Sequence, residues 1–297
     1  MRFVQFLFFR HALGQRGLFN WIPDSKYLKI AYRIKMGELD LENPQSFNEK
    51  IQWLKLNDRN PKHTMLVDKY EAKRLVADSI GESHIIPTLG IWDRFEDIDF
   101  SILPNQFVLK CTHDSGGLVV CRDKKNFNKK SAKKKINKCL KHNFYYGQRE
   151  WAYKNIKPRI IAEKYMEDET AKKLGNSGLT DYKFFCFNGK PEFVYVSCGL
   201  ENHETAQISF LTMEWEFADF KRNDYQGLNV LPDKPKRFDE MIEYAKKLSE
   251  NEKFVRIDFY EIGARVYFSE VTYYPCSGFM PFDPIEWDNK IGKLIKI

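Results

Sequence analysis

The chain has 297 residues, with 48 Lys and Arg against 41 Asp and Glu, and a formal net charge of +7 at pH 7. A hydrophobic content of 43% with 15% aromatic residues excludes an intrinsically disordered chain and allows one large or two small folded domains. The positive charge suits an anionic partner such as a nucleotide, a sugar nucleotide, an acidic glycan, nucleic acid or anionic lipid, but a basic surface that only confers solubility explains it equally well.

The N-terminus, MRFVQFLFF over residues 1–9, is too short to span a membrane, and no signal-peptide cleavage site follows it. We expect a short amphipathic segment packed on the domain, with docking on a membrane surface as the alternative. The six cysteines show neither a C-x-x-C pair nor zinc-ligand spacing, which predicts buried free thiols. A cytoplasmic location follows as an inference, with the inner face of the membrane as an alternative.

Residues 20–60 are predicted to be largely helical, and two helices are located before Gly81. The first lies in SFNEKIQWLKLN, where Ser46 and Glu49 have the spacing of a capping box, and the second covers residues 65–80. Gly81 is expected to end the second helix. Apolar residues at helical spacing are the candidate inward positions: Phe47, Ile51 and Leu54 in the first helix, and Leu66, Tyr70, Leu75 and Val76 in the second.

The middle of the chain changes to strands. Residues 106–111 (QFVLKC) and 118–121 (LVVC) flank THDSGG, which predicts a hairpin whose loop is rich in backbone donors. Residues 124–142 are predicted to form a lysine-dense helix, interpreted as a solvated face with anion binding as the alternative. Further strands are predicted at 159–165, 182–187, 191–198, 254–260 and 265–271, with a hairpin turn at 188–189 and a helix at 238–250. This order predicts an α+β fold with mainly antiparallel sheets.

The sharpest chemical signal is VRIDFYEIGARVYFSEVTYY, a predicted hairpin centred near Gly263. Alternation places Arg256, Asp258 and Tyr260 on one face of its first strand, and Phe268, Glu270 and Thr272 on one face of its second strand. Two carboxylates on one sheet face are costly to bury without a cation, and Mg²⁺ prefers oxygen ligands. Exposed carboxylates paired with Arg256 and Arg265 are the alternative.

The second signal is Lys110, at the end of a strand, followed by a loop of small and polar residues: Thr112, His113, Ser115, Gly116 and Gly117. Backbone N–H groups of such a loop can approach phosphate oxygens, although no Walker A sequence is present and ordinary hairpin turns also use glycine. Glu163, at the end of another strand, could present a carboxylate to a nucleotide, with an ordinary strand end as the alternative. Lys69 and Lys183 are further candidate cations, with solvent exposure as the alternative.

The order of these segments resembles the ATP-grasp superfamily. The resemblance is closest to the TupA-like ATP-grasp family of teichuronopeptide and other surface-polysaccharide biosynthesis, over about residues 40–285. It is carried by FNEKIQWLKL, LVDKYEAK, FVLKCTHDSGG, REWAYKNIKPRIIAEKYM, DYKFFCFNGKPEFV and FVRIDFYEIGARVYFSEVTYYPCSGF. It implies an ATP-grasp fold in which two mainly antiparallel sheet subdomains enclose the nucleotide. The implied boundaries are an N-terminal helical segment, 1–64, and a catalytic region, 65–297, with a lid subdomain at about 105–165 and a metal-binding subdomain at about 166–297.

The resemblance also implies roles for individual residues. Lys69 and Lys110 would contact the ATP phosphates, and Arg256 would stabilise the γ-phosphate during transfer. The lid loop would contain His113, Ser115, Gly116 and Gly117. The adenine and ribose would lie near Glu163, Lys164, Tyr165 and Met166, with Asp181 and Lys183 at a further phosphate or ribose contact. Asp258 and Glu270 would hold Mg²⁺ with Thr272, where many ATP-grasp ligases have Asn; this makes a second Mg²⁺ less secure than the first.

The implied activity is an ATP-dependent carboxylate–amine ligase acting through an acyl phosphate. Its substrates would be a uronic acid of a capsular or other surface polysaccharide and a small amine, either an amino acid or an amino alcohol. Nucleic acid is not an expected partner. Peripheral membrane association is the alternative already given for residues 1–9, and the oligomeric state is left open. Tyr273, Tyr274 and Phe279 could line the acceptor site or belong to the core.

Two rival functions remain. A sugar-nucleotide glycosyltransferase would need a D-x-D metal motif at a strand end, and the one D-x-D, Asp97–Asp99, is predicted to lie in a loop with no clear strand before it. A non-catalytic module that binds nucleic acid or membrane would leave Asp258 and Glu270 without a purpose.

Overall fold

The computed structural model describes residues 14, 17–167, 178–198 and 206–297, apart from the side chain of Cys198. The predictions for residues 1–9 lie outside these ranges. By their internal contacts the residues form two compact units. The first unit contains Leu54–Arg74 and Ile86–Tyr165 with the described part of the chain up to Leu39, and the second contains Asp40–Trp53, Leu75–Ile85 and Met166–Ile297. The subdomain boundaries predicted from the sequence stay predictions.

The described α-helices are α1 (Asp24–Lys35), α2 (Phe47–Asn57), α3 (Pro61–Val67), α4 (Glu71–Ile80), α5 (Lys129–Leu140), α6 (Tyr145–Gln148), α7 (Phe238–Leu248) and α8 (Glu286–Gly292). The capping box at the start of α2 is confirmed. The backbone N–H of Glu49 donates to Ser46 Oγ at 3.2 Å, and the N–H of Ser46 donates to the Glu49 carboxylate at 3.0 Å. The predicted inward residues Phe47, Ile51 and Leu54 are all buried.

The single helix predicted over residues 65–80 is wrong, because the structure contains two helices there, α3 and α4. The chain breaks at Asp68, whose backbone is extended. The Asp68 carboxylate accepts hydrogen bonds from the N–H groups of Tyr70 at 2.8 Å and Glu71 at 3.3 Å. Asp68 therefore caps α4, as an aspartate at this position favours.

The first unit contains a four-stranded sheet in the order β1-β4-β2-β3. Its strands are β1 (Thr88–Trp92), β2 (Phe107–Cys111), β3 (Leu118–Cys121) and β4 (Ile160–Lys164), and all neighbouring pairs are antiparallel. The predicted hairpin of β2 and β3 is confirmed. The sequence-based prediction missed β1, which is short and contains Gly90.

Helix α5 packs on this first sheet through one narrow apolar face. Ala132 and Ile136 are buried in the same cluster as Phe107, Leu109 and Ile160. The lysines of α5 are exposed: Lys129, Lys130, Lys133, Lys134, Lys135 and Lys138. This arrangement fits the interpretation as a solvated face, because an amphipathic helix turns its charged residues to water.

The second unit contains a five-stranded antiparallel sheet in the order β10-β9-β5-β6-β7. Its strands are β5 (Asp181–Phe187), β6 (Lys190–Cys198), β7 (Gln207–Leu211), β9 (Phe254–Ile262) and β10 (Arg265–Thr272), and a small sheet pairs β8 (Lys221–Arg222) with β11 (Phe282–Asp283). Asn188 and Gly189 both have positive φ, as the predicted hairpin turn requires. The prediction of an α+β fold with antiparallel sheets is confirmed.

The core of the second unit is dense in aromatic rings. Phe184 packs against Phe259 and Phe238 with ring centroids 5.9 and 5.6 Å apart, and Phe185 packs against Phe210 at 5.3 Å. Phe184 and Phe185 are consecutive residues of β5 and point to opposite faces of the sheet, so these rings pack on both sides of the strand and hold its residues at defined positions. None of the helices in the described ranges has both the length and the apolar character needed to cross a membrane.

Candidate active site

A buried glutamate on the first sheet is held by two lysines. Val108 of β2 lies opposite Glu163 of β4, so Lys110, two residues along β2, is a diagonal neighbour on the same face. Lys110 Nζ is 2.6 Å from Glu163 Oε2, and Lys73 Nζ of α4 is 2.5 Å from Glu163 Oε1. The two predicted residues Lys110 and Glu163 are thus brought together. Lys73, which lies in α4 four residues after Lys69, was missed from the sequence.

The charge state of Glu163 follows from this arrangement. Glu163 is only 5% exposed, and this burial would raise the pKa of its carboxyl group. The nearby Lys110 and Lys73 outweigh the burial and lower the pKa to about 2. Glu163 is therefore ionised at neutral pH, and it holds the Lys110 ammonium group at the end of β2.

Lys69 is the second predicted phosphate contact, and it forms hydrogen bonds with the loop of residues 112–117. Lys69 Nζ donates to the backbone carbonyl of Asp114 at 2.5 Å, and its backbone N–H donates to Thr112 O at 3.1 Å. The Asp114 carboxylate accepts the N–H of Gly117 at 2.9 Å. The loop is therefore closed on itself by an aspartate that was not among the predicted site residues.

The predicted loop residues differ in exposure. Ser115 and Gly116 are exposed, whereas Gly117 is buried, and a Cβ atom at Gly117 would lie 2.5 Å from Cys111 Sγ. The ring of His113 is buried and its Nε2 donates to the Cys139 carbonyl at 3.2 Å. Burial lowers the pKa of His113, which favours the neutral ring. Contact between His113 and a nucleotide stays a prediction.

A further ion cluster was not predicted from the sequence. Arg159 donates to Asp68 at 3.0 Å and to Glu71 at 2.9 Å, and its guanidinium lies over the Tyr70 ring at 4.9 Å. Its backbone carbonyl accepts the N–H of Thr112 at 2.9 Å. Arg159 therefore links the start of α4 to the start of the glycine-containing loop.

The residues predicted near the base occupy the end of β4 and the chain beyond it. Lys164 is exposed, and its backbone N–H donates to Pro87 O at 3.0 Å. Tyr165 is half-buried, with the Arg122 guanidinium 5.9 Å from the centroid of its ring. Met166 is half-buried and belongs to the second unit. Their proposed contacts with adenine and ribose stay predictions.

In the second unit, four polar residues form a row across one face of the sheet. Glu270 of β10 lies opposite Asp258 of β9, which lies opposite Lys183 of β5, which lies opposite Tyr195 of β6. Residues directly opposite each other in an antiparallel pair share a face. The two predicted carboxylates therefore point to the same side of the sheet, next to the predicted Lys183.

Arg256 holds both carboxylates. Its Nε donates to Asp258 Oδ1 at 2.7 Å, and its Nη2 donates to Asp258 Oδ2 at 2.6 Å and to Glu270 Oε1 at 2.8 Å. Lys183 Nζ donates to Asp258 Oδ2 at 2.9 Å and lies 3.1 Å from Asp181 Oδ1. Asp258 is fully buried at 0% exposure, so this charge is compensated by two cations.

The pKa values in this network move with burial and charge. Burial, followed by the charge of Asp258 and Glu270, raises the pKa of Asp181 despite the nearby Lys183. Burial would lower the pKa of Lys183 and of Arg256, but Asp258 and its neighbouring carboxylates raise both. Both cations therefore remain charged.

The oxygen atoms on β9 and β10 fit a magnesium ion. Asp258 and Glu270 supply carboxylates, and Thr272 Oγ1 lies 3.4 Å from Glu270 Oε1, so three oxygen ligands are close together. Hard cations such as Mg²⁺ take oxygen ligands of this kind. The predicted place of Phe268 beside Glu270 is wrong, because a bulge at Ser269 pairs Phe268 with Phe259 on the opposite, buried face.

The structure also bears on the other candidate sites. The D-x-D segment follows β1 and begins at the end of a 3-10 helix, Phe95–Asp97; Asp97 pairs with Arg94 at 2.7 Å and Asp99 accepts from Ser101. Both aspartates are thus engaged locally. Tyr273 and Tyr274 are buried, which places their rings in the core.

Five cysteines are free thiols in the described ranges: Cys111, Cys121, Cys139, Cys186 and Cys276. The prediction of buried free thiols is confirmed for Cys111, Cys121 and Cys186, whereas Cys139 and Cys276 are half-buried. Burial raises the pKa of the Cys186 thiol to about 12. The sulfur atoms of Cys111 and Cys139 and a carboxylate oxygen of Asp114 lie within 4.8 Å of one another. Such a group has the ligands of a soft metal, unlike the oxygen atoms on β9 and β10.

The chain is similar to a known protein family over most of its length. A family model described as TupA-like ATPgrasp matches residues 49–296. A comparison with curated proteins returns no match. Among solved structures, D-alanine–D-alanine ligase from Bacillus anthracis, complexed with ATP, matches with 13% identity and a TM-score of 0.39, covering 70% of this chain and 54% of that chain.

Two further solved structures are similar. D-alanine–D-alanine ligase from Helicobacter pylori has 17% identity and a TM-score of 0.39, over 85% of this chain and 70% of that chain. The ATP-grasp ligase PsnB, complexed with a phosphomimetic variant of its minimal precursor, Mg and ADP, has 9% identity and a TM-score of 0.38, over 76% of this chain and 57% of that chain. The chain spans little more than half the length of the Bacillus anthracis ligase.

Proposed function

Because the chain belongs to the TupA-like ATP-grasp family, we propose that it is an ATP-dependent carboxylate–amine ligase that uses Mg²⁺. The observation that carries the proposal is the cluster of Arg256, Asp258 and Glu270 on neighbouring strands, with a cation within 2.8 Å of both carboxylates. The side chain of Arg256 is only 13% exposed, and an arginine held by two acids in this way is rigid. Such a group suits charge that develops during phosphoryl transfer.

The proposed reaction has two steps. A substrate carboxylate oxygen attacks the γ-phosphorus of ATP, the bond from that phosphorus to the β–γ bridging oxygen breaks, and ADP leaves behind an acyl phosphate. The nitrogen of an amine then attacks the acyl carbon, inorganic phosphate leaves with the bonding electrons, and the nitrogen loses a proton. The protein contributes positioning and charge neutralisation, since neither step needs a covalent enzyme intermediate.

The second unit would supply the phosphoryl-transfer residues. Arg256 would stabilise the transferred phosphoryl group, because Asp258 and Glu270 fix its guanidinium. The carboxylates of Asp258 and Glu270, with Thr272, would hold Mg²⁺, which neutralises phosphate charge when bound. Lys183 of β5 compensates the negative charge of Asp258.

The first unit would supply cations for the phosphates. Lys110 is fixed by Glu163 and Lys69 by the Asp114 carbonyl, so both ammonium groups are oriented without a ligand. The exposed Ser115 and Gly116 could cover the nucleotide as the loop moves, which would keep water from an acyl phosphate. The same proposal places Lys164, Tyr165 and Met166 near the adenine and ribose, and Asp181 at a further phosphate or ribose contact.

The proposed substrates are a uronic acid of a capsular or other surface polysaccharide and an amino acid or amino alcohol. The net charge of +7 supports an acidic substrate. Synthesis at the inner face of the membrane, in the cytoplasm, is part of the proposal. The sugar-nucleotide glycosyltransferase is disfavoured, because the D-x-D segment begins in the 3-10 helix Phe95–Asp97 and does not lie at the end of a strand.

Product analysis tests the proposal. Purified protein is incubated with ATP, Mg²⁺, a uronic-acid glycan and a panel of amines, while ADP, AMP and phosphate are measured. We expect ADP release that requires both the carboxylate and the amine, and a product that carries a new amide. AMP formation, or UDP release from a sugar nucleotide without ATP turnover, would contradict the ligase.

A further inference from the structure

A polar cavity of about 370 Å³ lies in the second unit, beside the small sheet of β8 and β11. Its lining includes two cations, three amides and a phenol ring: Lys221, Arg222, Asn223, Tyr225, Gln226 and Asn229. The volume falls within the roughly 300–1,000 Å³ of small-molecule sites. The proposed phosphoryl transfer uses none of these residues.

The cavity is joined to the proposed catalytic row by one hydrogen bond. Arg222 Nη1 donates to the hydroxyl of Tyr195 at 3.1 Å, and Tyr195 is the residue of β6 that lies opposite Lys183. Tyr195 is thus two strands away from Asp258 on the same face of the sheet, a distance of roughly 10 Å at the usual strand spacing. A ligand longer than a single sugar ring can reach from the cavity to the catalytic row.

The chemistry of the lining favours a hydroxylated ligand. Asn223, Gln226 and Asn229 are exposed, and each amide can both donate and accept hydrogen bonds, as sugar hydroxyls do. Arg222 is committed to Asp224, with contacts of 2.8 and 2.5 Å, and its guanidinium lies 4.9 Å from the centroid of the Tyr225 ring, which fixes the wall of the cavity. Lys221 pairs with Asp283 only at 3.5 Å and is 65% exposed, so a ligand carboxylate can approach it.

An adjoining cavity narrows the choice of ligand. It has a volume of about 460 Å³, includes the rings of Phe217 and Phe220, and shares Lys221 and Asp283 with the polar cavity. An inorganic anion would use only the polar part. A pyranose ring has hydroxyl groups at its edge and apolar C–H faces, so it matches both parts.

We propose that this polar cavity binds a sugar unit of the acceptor glycan next to the uronic acid whose carboxylate is activated. The inference rests on the proposed function for the identity of the glycan, and it assigns Asn223, Gln226 and Asn229 to recognition of its hydroxyl groups. The acceptor is therefore an oligosaccharide or a polysaccharide, because a single uronic acid reaches the catalytic row without filling the cavity.

The test uses the double variant Gln226→Ala/Asn229→Ala, in which both changes are on an exposed stretch. Asn289→Ala, an exposed amide of α8 outside the cavity, is the matched control. Two probes are titrated by calorimetry without ATP: a tetrasaccharide of alternating glucuronic acid and N-acetylglucosamine, and tetragalacturonic acid. We expect the dissociation constant of at least one probe to rise about tenfold or more in the double variant, as the loss of two hydrogen bonds implies. The control should stay within twofold, and both variants should keep the wild-type melting temperature.

Equal affinity of the wild type and the double variant, or no binding of either probe to the wild type, overturns the cavity assignment. ADP release is measured in parallel, so that the two proposals fail separately. A protein that binds the tetrasaccharide, loses this binding in the double variant and yet never forms ADP would support the glycan site and contradict the ligase.

Discussion

At the scale of single residues, the structure explains why charged groups can be buried on both sheets. Glu163 is compensated by Lys73 and Lys110, and Asp258 by Lys183 and Arg256. A buried ion pair contributes little stability by itself, but removing one partner leaves an uncompensated charge. These networks therefore fix the positions of Lys110 and Arg256. The carboxylates offset the free-energy cost of removing the two cations from water.

Glu270→Gln should separate folding from chemistry. The amide keeps the size of the side chain and removes the charge that would help to hold Mg²⁺, so we expect the rate of ADP release to fall by about 100-fold or more. The melting temperature should change little, because Glu270 is partly exposed. Glu250→Gln, an exposed glutamate of the same unit, is the control and should keep full activity. Activity within a few-fold of the wild type in Glu270→Gln would contradict the metal assignment.

Glu163→Gln should destabilise the fold in a pH-dependent way. The lowered pKa of Glu163, about 2, means that its contribution to stability is fully present above the usual carboxyl pKa, near 4.5, and is lost as the pH falls towards 2. We expect the variant to lose about 3 kcal/mol of unfolding free energy at pH 7, and the gap to fall to about half or less at pH 3. Denaturant unfolding at pH 7, 4 and 3 measures both values.

The control for this variant is Glu243→Gln. Glu243 pairs with Lys246 at 2.7 Å on the surface of α7, with both side chains at least half exposed. Exposed pairs of this kind contribute about 1 kcal/mol or less. If Glu163→Gln lost as little unfolding free energy as the control, or if its loss did not depend on pH, Glu163 would not be the buried ionised group described above.

At the scale of elements, the loop between β2 and β3 offers two adjacent glycines with opposite environments. A Cβ atom at Gly117 would lie 2.5 Å from Cys111 Sγ and 2.9 Å from Asp114 Oδ1, whereas one at Gly116 would meet no atom within 4 Å. Gly117→Ala should therefore cost about 1–3 kcal/mol of unfolding free energy. Because the Asp114–Gly117 hydrogen bond closes the loop, the same variant should also bind ATP more weakly.

Gly116→Ala is the matched control for this prediction, since it adds the same methyl group one residue away. We expect its stability and its ATP affinity to stay near the wild type. Denaturant unfolding and fluorescence titration of a labelled nucleotide measure the two quantities. Similar results for both alanine variants would mean that the loop is not closed in the way the structure shows.

Much of the element order could be predicted because it depends on local patterns. Alternation and turn residues located the hairpins at 106–121 and 254–272, and the spacing of Ser46 and Glu49 located the start of α2. The break at Asp68 had a readable signal, an aspartate three residues before Glu71, but the apolar periodicity across it suggested one helix. The bulge at Ser269 had no local signal, because it depends on how β10 pairs with β9.

The site could be predicted only in part, because some of its contacts depend on how distant segments pair. Sequence order and the family resemblance pointed to Lys110, Glu163, Arg256, Asp258 and Glu270, and the structure brings them into two clusters. Lys73, Asp114 and Arg159 were missed, because their roles come from contacts between segments that are distant in sequence. The cavity lined by Arg222 and Gln226 was missed too, since short strands and loops carry no periodic pattern.

At the scale of the whole molecule, each compact unit contains one of these charged clusters on its own antiparallel sheet. A ligand that binds only the folded protein stabilises it in proportion to the logarithm of its concentration. The nucleotide proposal thus predicts an effect on the stability of the whole protein that needs no knowledge of the acceptor.

ADP with Mg²⁺ should raise the melting temperature. At about 100 times its dissociation constant a ligand adds about 2.7 kcal/mol, which for a chain of 297 residues corresponds to a shift of about 4 °C. The shift should shrink when EDTA replaces Mg²⁺, because the phosphate charge would then face Asp258 and Glu270 without a cation between them. Differential scanning fluorimetry with ADP, with and without EDTA, measures the two shifts.

Glu270→Gln separates a metal held by the protein from a metal that merely travels with the nucleotide. If the β9–β10 carboxylates hold the ion, the variant should lose most of the Mg²⁺-dependent part of the shift and keep the part that ADP gives alone. An equal Mg²⁺-dependent shift in the wild type and the variant would place the ion elsewhere. The contacts of Arg256 with Asp258 and Glu270 would then form a structural ion cluster only. The phosphoryl-transfer proposal would lose the observation on which it depends.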